Sequence, residues 1–118
     1  MRILLAAPDR DLLETFREIL AQDLGETVTA FDGTQVLSLI AGEHFDAAVL
    51  DSGIPRIGYR ELVARIREKK IPTVVLSEKA PGALRTAEEI QADAYLSYPF
   101  SADTLKSVIR SVSARERE

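Results

Sequence analysis

The sequence predicts an α/β fold, a doubly wound parallel sheet of five strands in the order 2-1-3-4-5 with helices on both faces. Segments with a strand pattern alternate five times with segments of helical period, and no repeat or low-complexity stretch interrupts them. Three strand segments are wholly apolar and two are mixed, which places the mixed ones at the sheet edges. A length of 118 residues fits one domain with one core.

The first strand and the first helix are predicted from a change of period. Residues 3–7 form an unbroken apolar run ended by a proline, as expected for a strand covered on both faces. Apolar residues then recur at helical spacing over residues 12–20. Either Asp9 or Asp11 can cap this helix, and Glu14 would complete a capping box with Asp11.

The next segments lead to a carboxylate at the end of the central strand. Residues 27–31 alternate polar and apolar side chains, which predicts an edge strand, and residues 36–40 predict a short helix. Residues 45–51 form the central strand, which ends at Asp51 before a turn containing a proline. Because chemistry in such sheets occurs beyond the carboxyl ends of the strands, Asp51 is a candidate reactive residue. The alternative is that Asp51 only caps the turn.

A third helix, over residues 62–66, ends in a basic cluster. The cluster consists of Arg65, Arg67, Lys69 and Lys70. Cations are favourable at the negative end of a helix, and no aromatic residues interleave them as they would in a single-stranded nucleic-acid site. We therefore interpret the cluster as a solvated helix end.

The last part of the chain supplies two more strands and two more helices. Residues 73–77 predict a buried strand that ends in a serine, followed by a loop over residues 78–82. A weakly amphipathic helix over residues 84–90 precedes an edge strand over residues 94–98. Residues 105–112 show the i, i+3, i+4, i+7 spacing of a final helix.

Composition excludes several classes of protein. Without cysteine the chain forms no disulfide and no thiolate metal site. A net charge of -4 disfavours direct binding to nucleic acid or to an anionic membrane. No apolar run reaches the ~20 residues of a membrane span, so we expect a soluble, cytoplasmic protein.

The sequence offers little support for an enzyme. Its glycines form no phosphate-binding motif, which disfavours a nucleotide site. The only histidine, His44, lies in a polar turn and is expected to be exposed rather than a metal ligand. Ser77 has no candidate base in the sequence pattern, so a catalytic triad is not expected.

The order and spacing of several motifs indicate a family. An apolar strand ending at Asp51, Pro55 four residues later, Gly58, and the segments 71–77 and 92–100 follow one another in the chain. This arrangement resembles the CheY-like receiver domain of two-component response regulators, over essentially the whole chain. The resemblance implies the flavodoxin-like fold already predicted from the alternation of strands and helices.

The resemblance also implies roles for three residues. Asp51 occupies the position that accepts a phosphoryl group from a histidine kinase. Ser77 occupies the position that hydrogen-bonds this group. Tyr95 occupies the aromatic switch position on the fifth strand.

Other positions depart from the family pattern. Ala7 and Pro8 stand where the family has two acidic residues that help to hold magnesium, and Tyr98 replaces a lysine that neutralises the phosphoryl charge. Gly58 follows Asp51 by seven residues, where eight is usual. Asp9 is the nearest remaining acid and a weak candidate metal ligand, although capping of the first helix is the favoured role.

These departures lead to two main hypotheses. The first is a pseudo-receiver, a non-enzymatic interaction module that binds no cofactor and signals without phosphorylation. The alternative is a working phosphoacceptor in a phosphorelay, in which Asp51 reacts with the help of a rebuilt magnesium site. A small flavin- or nucleotide-binding enzyme is a third, less favoured hypothesis.

We expect residues 1–118 to form one receiver-like domain, the N-terminal part of a longer signalling protein. The expected partner is a histidine kinase or an attached effector domain. By analogy with receivers, the partner surface is the face formed by the helix over residues 84–91, the strand at Tyr95 and the helix from Ala102, with Lys106 as a surface charge. The same face could form a homodimer. The alternative for Tyr95 is that it only packs against its neighbours.

Overall fold

The structure, a computed structural model, describes residues 1–78 and 92–117, with side chains to residue 114. The strands are β1 (Arg2–Ala6), β2 (Glu26–Ala30), β3 (Ala47–Asp51), β4 (Thr73–Ser77) and β5 (Ala94–Ser97). The described helices are α1 (Arg10–Asp23), α2 (Gly33–Gly42), α3 (Tyr59–Glu68) and α4 (Ala102–Arg117). The helix predicted over residues 84–90 lies outside the described residues, as does most of the loop before it.

The five strands form one parallel sheet in the order β2-β1-β3-β4-β5, which confirms the predicted topology. The three predominantly apolar strands, β1, β3 and β4, lie in the centre and the two mixed strands lie at the edges. Central strands are covered on both faces, so they tolerate apolar side chains at every position. This physical difference is why composition predicted which strands lie at the edges, and the order 2-1-3-4-5 is a common doubly wound arrangement that places them there.

The sheet separates two apolar layers. On one face, α2 and α3 pack against alternate strand residues through Val36, Ile40, Leu62 and Ile66. On the other face, α1 and α4 pack through Leu13, Leu20, Leu105 and Ile109. Successive strand side chains point to opposite faces, so each central strand contributes to both layers.

Three strands end one residue earlier than predicted, at residues 6, 30 and 97. Apolar residues continue beyond the last paired position of each strand, and hydrophobicity does not distinguish a residue inside the strand from an apolar residue that follows it. The backbone amide of Ala7 still donates to Ala30 O at 3.1 Å, and that of Tyr98 to Ser77 O at 2.9 Å. Ala7, Pro8 and Tyr98 therefore lie just beyond the ends of their strands, at the same edge of the sheet as Asp51.

Asp9 is the residue that caps α1. Its Oδ1 accepts hydrogen bonds from the backbone amides of Asp11 at 2.9 Å and Leu12 at 3.2 Å. The capping box predicted for Asp11 and Glu14 is therefore wrong, and Glu14 instead forms an ion pair with Arg17. The helix starts two residues before the apolar pattern begins, because side-chain capping, not burial, fixes its first residue.

The basic end of α3 is largely solvated, as predicted. Arg65, Lys69 and Lys70 are exposed, and Arg67 pairs with Asp93 at 2.9 Å. The side chain of His44 is 82% exposed, which confirms its predicted position at the surface. None of the helices in the described ranges combines the length and apolar character needed to cross a membrane.

Candidate functional site

A cleft of about 600 Å³ opens at the carboxyl ends of the strands. The residues that line it are Pro8, Asp9, Leu12, Asp51, Ser52, Gly53, Tyr59, Ser77, Glu78 and Tyr98. The fold thus brings together five of the residues singled out in the sequence: Pro8, Asp9, Asp51, Ser77 and Tyr98. Ala7 adjoins this edge, but its side chain is fully buried in the layer of α1 and α4.

Both carboxylate oxygens of Asp51 accept hydrogen bonds from the protein. Oδ1 accepts from the backbone amide of Gly53 at 2.7 Å, which closes the turn after β3. Oδ2 accepts from the Tyr98 hydroxyl, also at 2.7 Å. Asp51 therefore caps the turn, as the alternative interpretation of the sequence expected, and its side chain also lines the cleft.

Tyr98 is held in place by its ring as well as by its hydroxyl. The ring stacks on Phe100, with centroids 5.0 Å apart, and Phe100 stacks on Phe16 of α1 at 5.7 Å. The sequence identified Tyr98 only as a replacement for a lysine and did not predict its bond to Asp51. The only indication of this packing in the sequence was the presence of an aromatic residue on each side of Pro99.

The environment of Tyr98 keeps its phenol protonated. Partial burial is the main factor that raises its pKa above the ordinary value of 10, and the hydrogen bond to Asp51 adds to the effect. The negative charges of Asp51, Glu78 and Asp9 raise the pKa further. At neutral pH the side chain is thus an uncharged hydrogen-bond donor.

Ser77 and the end of β4 form the floor of the cleft beside Asp51. Ser77 is the last residue of β4 and is only 2% exposed. The backbone amide of Ser52 donates to Leu76 O at 2.8 Å, which continues the pairing of β3 with β4 beyond Asp51. The carboxylate and the serine therefore end adjacent strands.

The donor set does not fit the magnesium ion that the family resemblance implies. Magnesium requires near-octahedral oxygen ligation, and neither Ala7 nor Pro8 has a side-chain oxygen. Asp9 uses Oδ1 to cap α1, and both oxygens of Asp51 already accept hydrogen bonds. Within residues 1–78 and 92–117, no three carboxylate or histidine side chains are grouped so that they could hold a metal.

The loop between β3 and α3 is braced against the start of α2. The backbone amide of Gly33 donates to Pro55 O at 3.0 Å, and a Cβ at Gly33 would lie 2.6 Å from Ile57 Cβ. Arg56 has a left-handed φ of 79°, and its Nε lies 3.5 Å from Asp32 Oδ2. The sequence predicted a turn at residues 32–33 but did not predict this close approach.

Two residues of the predicted partner face make internal contacts. Tyr95 is half-buried against the layer of α2 and α3, and its hydroxyl accepts from the backbone amide of Ala92 at 3.1 Å. Lys106 forms ion pairs with Asp23 at 2.5 Å and Asp103 at 3.2 Å, and its side chain is 15% exposed. Lys106, expected as a charge on this face, is thus engaged in ion pairs within the chain, because the packing of α1 against α4 brings Asp23 within reach.

Comparison with known proteins gives consistent matches. The family described as "Response regulator receiver domain" matches residues 3–110. "Response regulator MprA" of Mycobacterium avium is 32% identical over 120 residues, which cover 99% of this chain and 53% of that protein. "Transcriptional regulatory protein TcrA" of Mycobacterium tuberculosis is 33% identical over 119 residues, covering 98% and 47%. The chain spans about half the length of these curated relatives.

Solved structures agree with the sequence matches. The receiver domain of the Francisella response regulator 1452 superposes with a TM-score of 0.87 at 26% identity, covering 97% of both chains. A CheY-like receiver domain protein from Methanospirillum hungatei superposes with a TM-score of 0.90 at 22% identity, covering 98% of this chain and 95% of the other. The second likeness concerns the fold alone. Since the family match spans nearly the whole chain, this protein belongs to the response regulator receiver domain family.

Proposed function

We propose that this receiver domain signals through protein contacts and that Asp51 does not accept a phosphoryl group. The observation that carries the proposal is the end of β1, where Ala7 and Pro8 stand beside Asp51 in place of the acids that the family resemblance implies. Without these acids the cleft lacks the side chains that would help to hold magnesium. The proposal therefore includes no cofactor and no enzymatic activity.

Electrostatics supports the same conclusion. Phosphoryl transfer depends mainly on positioning and charge neutralisation, and an aspartyl phosphate would add negative charge to the cleft. Asp9, Asp51 and Glu78 already line it, and no lysine or arginine is among its described lining residues. Tyr98 donates one neutral hydrogen bond. The added charge would therefore remain largely uncompensated.

The alternative function is a working phosphoacceptor, and one observation favours it. Asp51 and Ser77 end adjacent strands and line the same cleft, so the acceptor and one phosphoryl contact are both present. For this function Asp51 Oδ2 must leave Tyr98, and a cation must enter from solution. Asp9 could serve as a ligand only through the oxygen that does not cap α1, or by giving up the cap.

Incubation with acetyl phosphate and magnesium tests the proposal. We expect the intact mass of the wild-type domain to stay unchanged, as should that of the Asp51→Asn variant. A known phosphorylatable receiver, treated in parallel, verifies the phosphodonor. Addition of one phosphate to the wild type but not to Asp51→Asn would establish the alternative function instead.

The partners are proposed at the level of class. Response regulators interact with histidine kinases and effector domains, and the relatives above are named as response and transcriptional regulators. We place this domain in the cytoplasm, as the N-terminal part of a longer signalling protein, and expect it to contact a kinase or an attached effector domain. Direct contact with nucleic acid or a membrane is not part of the proposal.

The proposed contact surface remains the face around residues 84–91, Tyr95 and α4, which could also form a homodimer. The position of Tyr95 on edge strand β5 supports this choice, since within the described residues only β4 pairs with that strand. Its packing against the core limits how much of the ring a partner could contact. A substitution of Lys106 would be a poor test of this surface, because it would disturb the contact between α1 and α4.

A further inference from the structure

We propose that Tyr98 is an internal cap on Asp51, an autoinhibitory contact that withholds the carboxylate from electrophiles and makes Asp51 a positioning residue for the ends of β3 and β5. This cap deepens the proposed function and rests on it for its biological role. Whether the contact between Tyr98 and Asp51 protects the carboxylate can be measured without phosphate or magnesium.

The first support is the saturation of the carboxylate. The Tyr98 hydroxyl and the Gly53 amide each approach one oxygen of Asp51 at 2.7 Å. The short distances are typical of hydrogen bonds to a charged acceptor, which are stronger than neutral ones. A carboxylate reacts as a nucleophile through an oxygen lone pair, and a donated hydrogen bond stabilises that pair. Asp51 is therefore less reactive than a carboxylate facing only water.

The second support is the fixed position of the donor. Tyr98 cannot swing away freely, because its ring stacks on Phe100 and Phe100 stacks on Phe16. Phe16 belongs to α1, so the stack extends from the end of β5 to a helix on the same face of the sheet. Pre-placement of the ring lowers the entropy lost when the hydroxyl binds Asp51.

The third support is the number of segments that meet at Asp51. The residue itself ends β3, its Oδ1 holds the following turn, and its Oδ2 holds the residue after β5. In the part of the chain that the structure describes, the edge strand β5 pairs with β4 alone. The bond from Tyr98 to Asp51 thus adds a side-chain tie from the end of this edge strand to the central strand.

The test measures the reactivity of Asp51 in wild type and in Tyr98→Phe. A water-soluble carbodiimide accepts the carboxylate oxygen at its central carbon and a proton at nitrogen, and the resulting O-acylisourea is attacked by an added amine. An amide forms and a urea leaves, so the labelled site is identified by peptide mass. We expect Tyr98→Phe to label Asp51 about tenfold faster, since a hydrogen bond to a half-buried charged group contributes about 1.4 kcal/mol.

Matched controls separate the cap from a general loosening of the fold. Tyr95→Phe removes a hydroxyl from β5, three residues before Tyr98, without touching Asp51, and it should leave the labelling rate unchanged. Exposed Asp103 serves as an internal reference within each sample. Equal labelling of Asp51 in wild type and in a folded Tyr98→Phe variant would overturn the cap. If Asp51 were labelled faster in Tyr95→Phe as well, the increase would reflect a general loosening of the fold, and this result would also overturn the cap.

A spectroscopic measurement tests the same contact by following the Tyr98 phenol instead of the Asp51 carboxylate. In Asp51→Asn the Tyr98 phenol loses a negative neighbour, so it should ionise at lower pH than in the wild type, as followed by phenolate absorbance. Glu78 and Asp9 remain and keep part of the effect. An unchanged titration would place the Tyr98 phenol out of contact with residue 51 and would refute the cap.

The two proposals fail in different experiments. Phosphate uptake by the wild type would refute the proposed function, while the carbodiimide rates could still show the cap. Conversely, equal rates would remove the cap and leave the loss of the acids at Ala7 and Pro8 as the reason for inactivity.

Discussion

Restoring the missing charges should convert this domain into a phosphoacceptor. The perturbation is Ala7→Asp and Pro8→Asp combined with Tyr98→Lys, which supplies two carboxylates at the end of β1 and a cation at the end of β5. Asp51 and Ser77 already end adjacent strands, so no change is needed there. The substitution at Tyr98 also removes the hydroxyl that binds Asp51 Oδ2.

The magnitude follows from charge and burial. A bound metal supplies several kcal/mol of transition-state stabilisation, and each ~1.4 kcal/mol is tenfold in rate, so labelling should rise by about a thousandfold. The Ala7 side chain is fully buried, however, and a carboxylate placed there without a cation is expected to cost several kcal/mol of folding free energy. The variant should therefore be clearly less stable without magnesium and regain stability as magnesium is added.

The assay measures the rate of phosphoryl labelling and the stability of the variant. Labelling by acetyl phosphate is followed by intact mass with and without magnesium, and thermal unfolding is recorded over a magnesium titration. Adding Asp51→Asn to the variant should abolish labelling. A folded variant that binds magnesium but stays unlabelled would refute the charge argument and implicate the short loop between Asp51 and Gly58.

Three further predictions concern other parts of the molecule. Gly25→Ala should lower the free energy of unfolding by about 2 kcal/mol or more in urea, because Gly25 has φ +144° and a Cβ there would lie 2.1 Å from Met1 O; Gly42→Ala, whose Cβ would meet nothing within 4 Å, is the control. The backbone amide of Arg2 donates a hydrogen bond to the Asp46 carboxylate and lowers the pKa of Asp46. The bond therefore stabilises the fold fully at pH values above the ordinary pKa of a carboxyl group, and this stabilisation is lost as the pH falls through the lowered pKa of Asp46. Asp46→Asn should therefore be less stable than wild type at neutral pH, by about 1 kcal/mol, with a difference that shrinks in acid; a constant difference would contradict this origin. Tyr95→Ala should weaken binding to the kinase or effector domain in a pull-down from the full-length protein, and unchanged binding would place the interface elsewhere.

The architecture and the position of the site could be predicted from the amino-acid sequence. Whether a strand is covered on one face or both is reflected in its side chains, so the edge strands could be identified, and a common doubly wound arrangement then supplied the order of the sheet. The same topology places the ends of β1, β3, β4 and β5 at one edge, so Asp51, Ser77 and Tyr98 could be grouped before any coordinates. The replacement of two acidic residues of the family pattern by Ala7 and Pro8 is likewise visible in the sequence, since it concerns which side chains lack a carboxylate.

The contacts of these residues depend on the tertiary structure. The hydrogen bond from Tyr98 to Asp51 joins residues 47 positions apart, and the Tyr98 ring stacks on Phe100, which in turn stacks on Phe16 of α1. The ion pair of Lys106 with Asp23 likewise depends on how two helices pack. Local patterns carry no information about such distances, because side chains far apart in the chain meet only after the sheet and its helices have been assembled. For that reason the sequence identified Asp51 as a candidate acceptor, whereas the fold determined that both of its oxygens are already occupied.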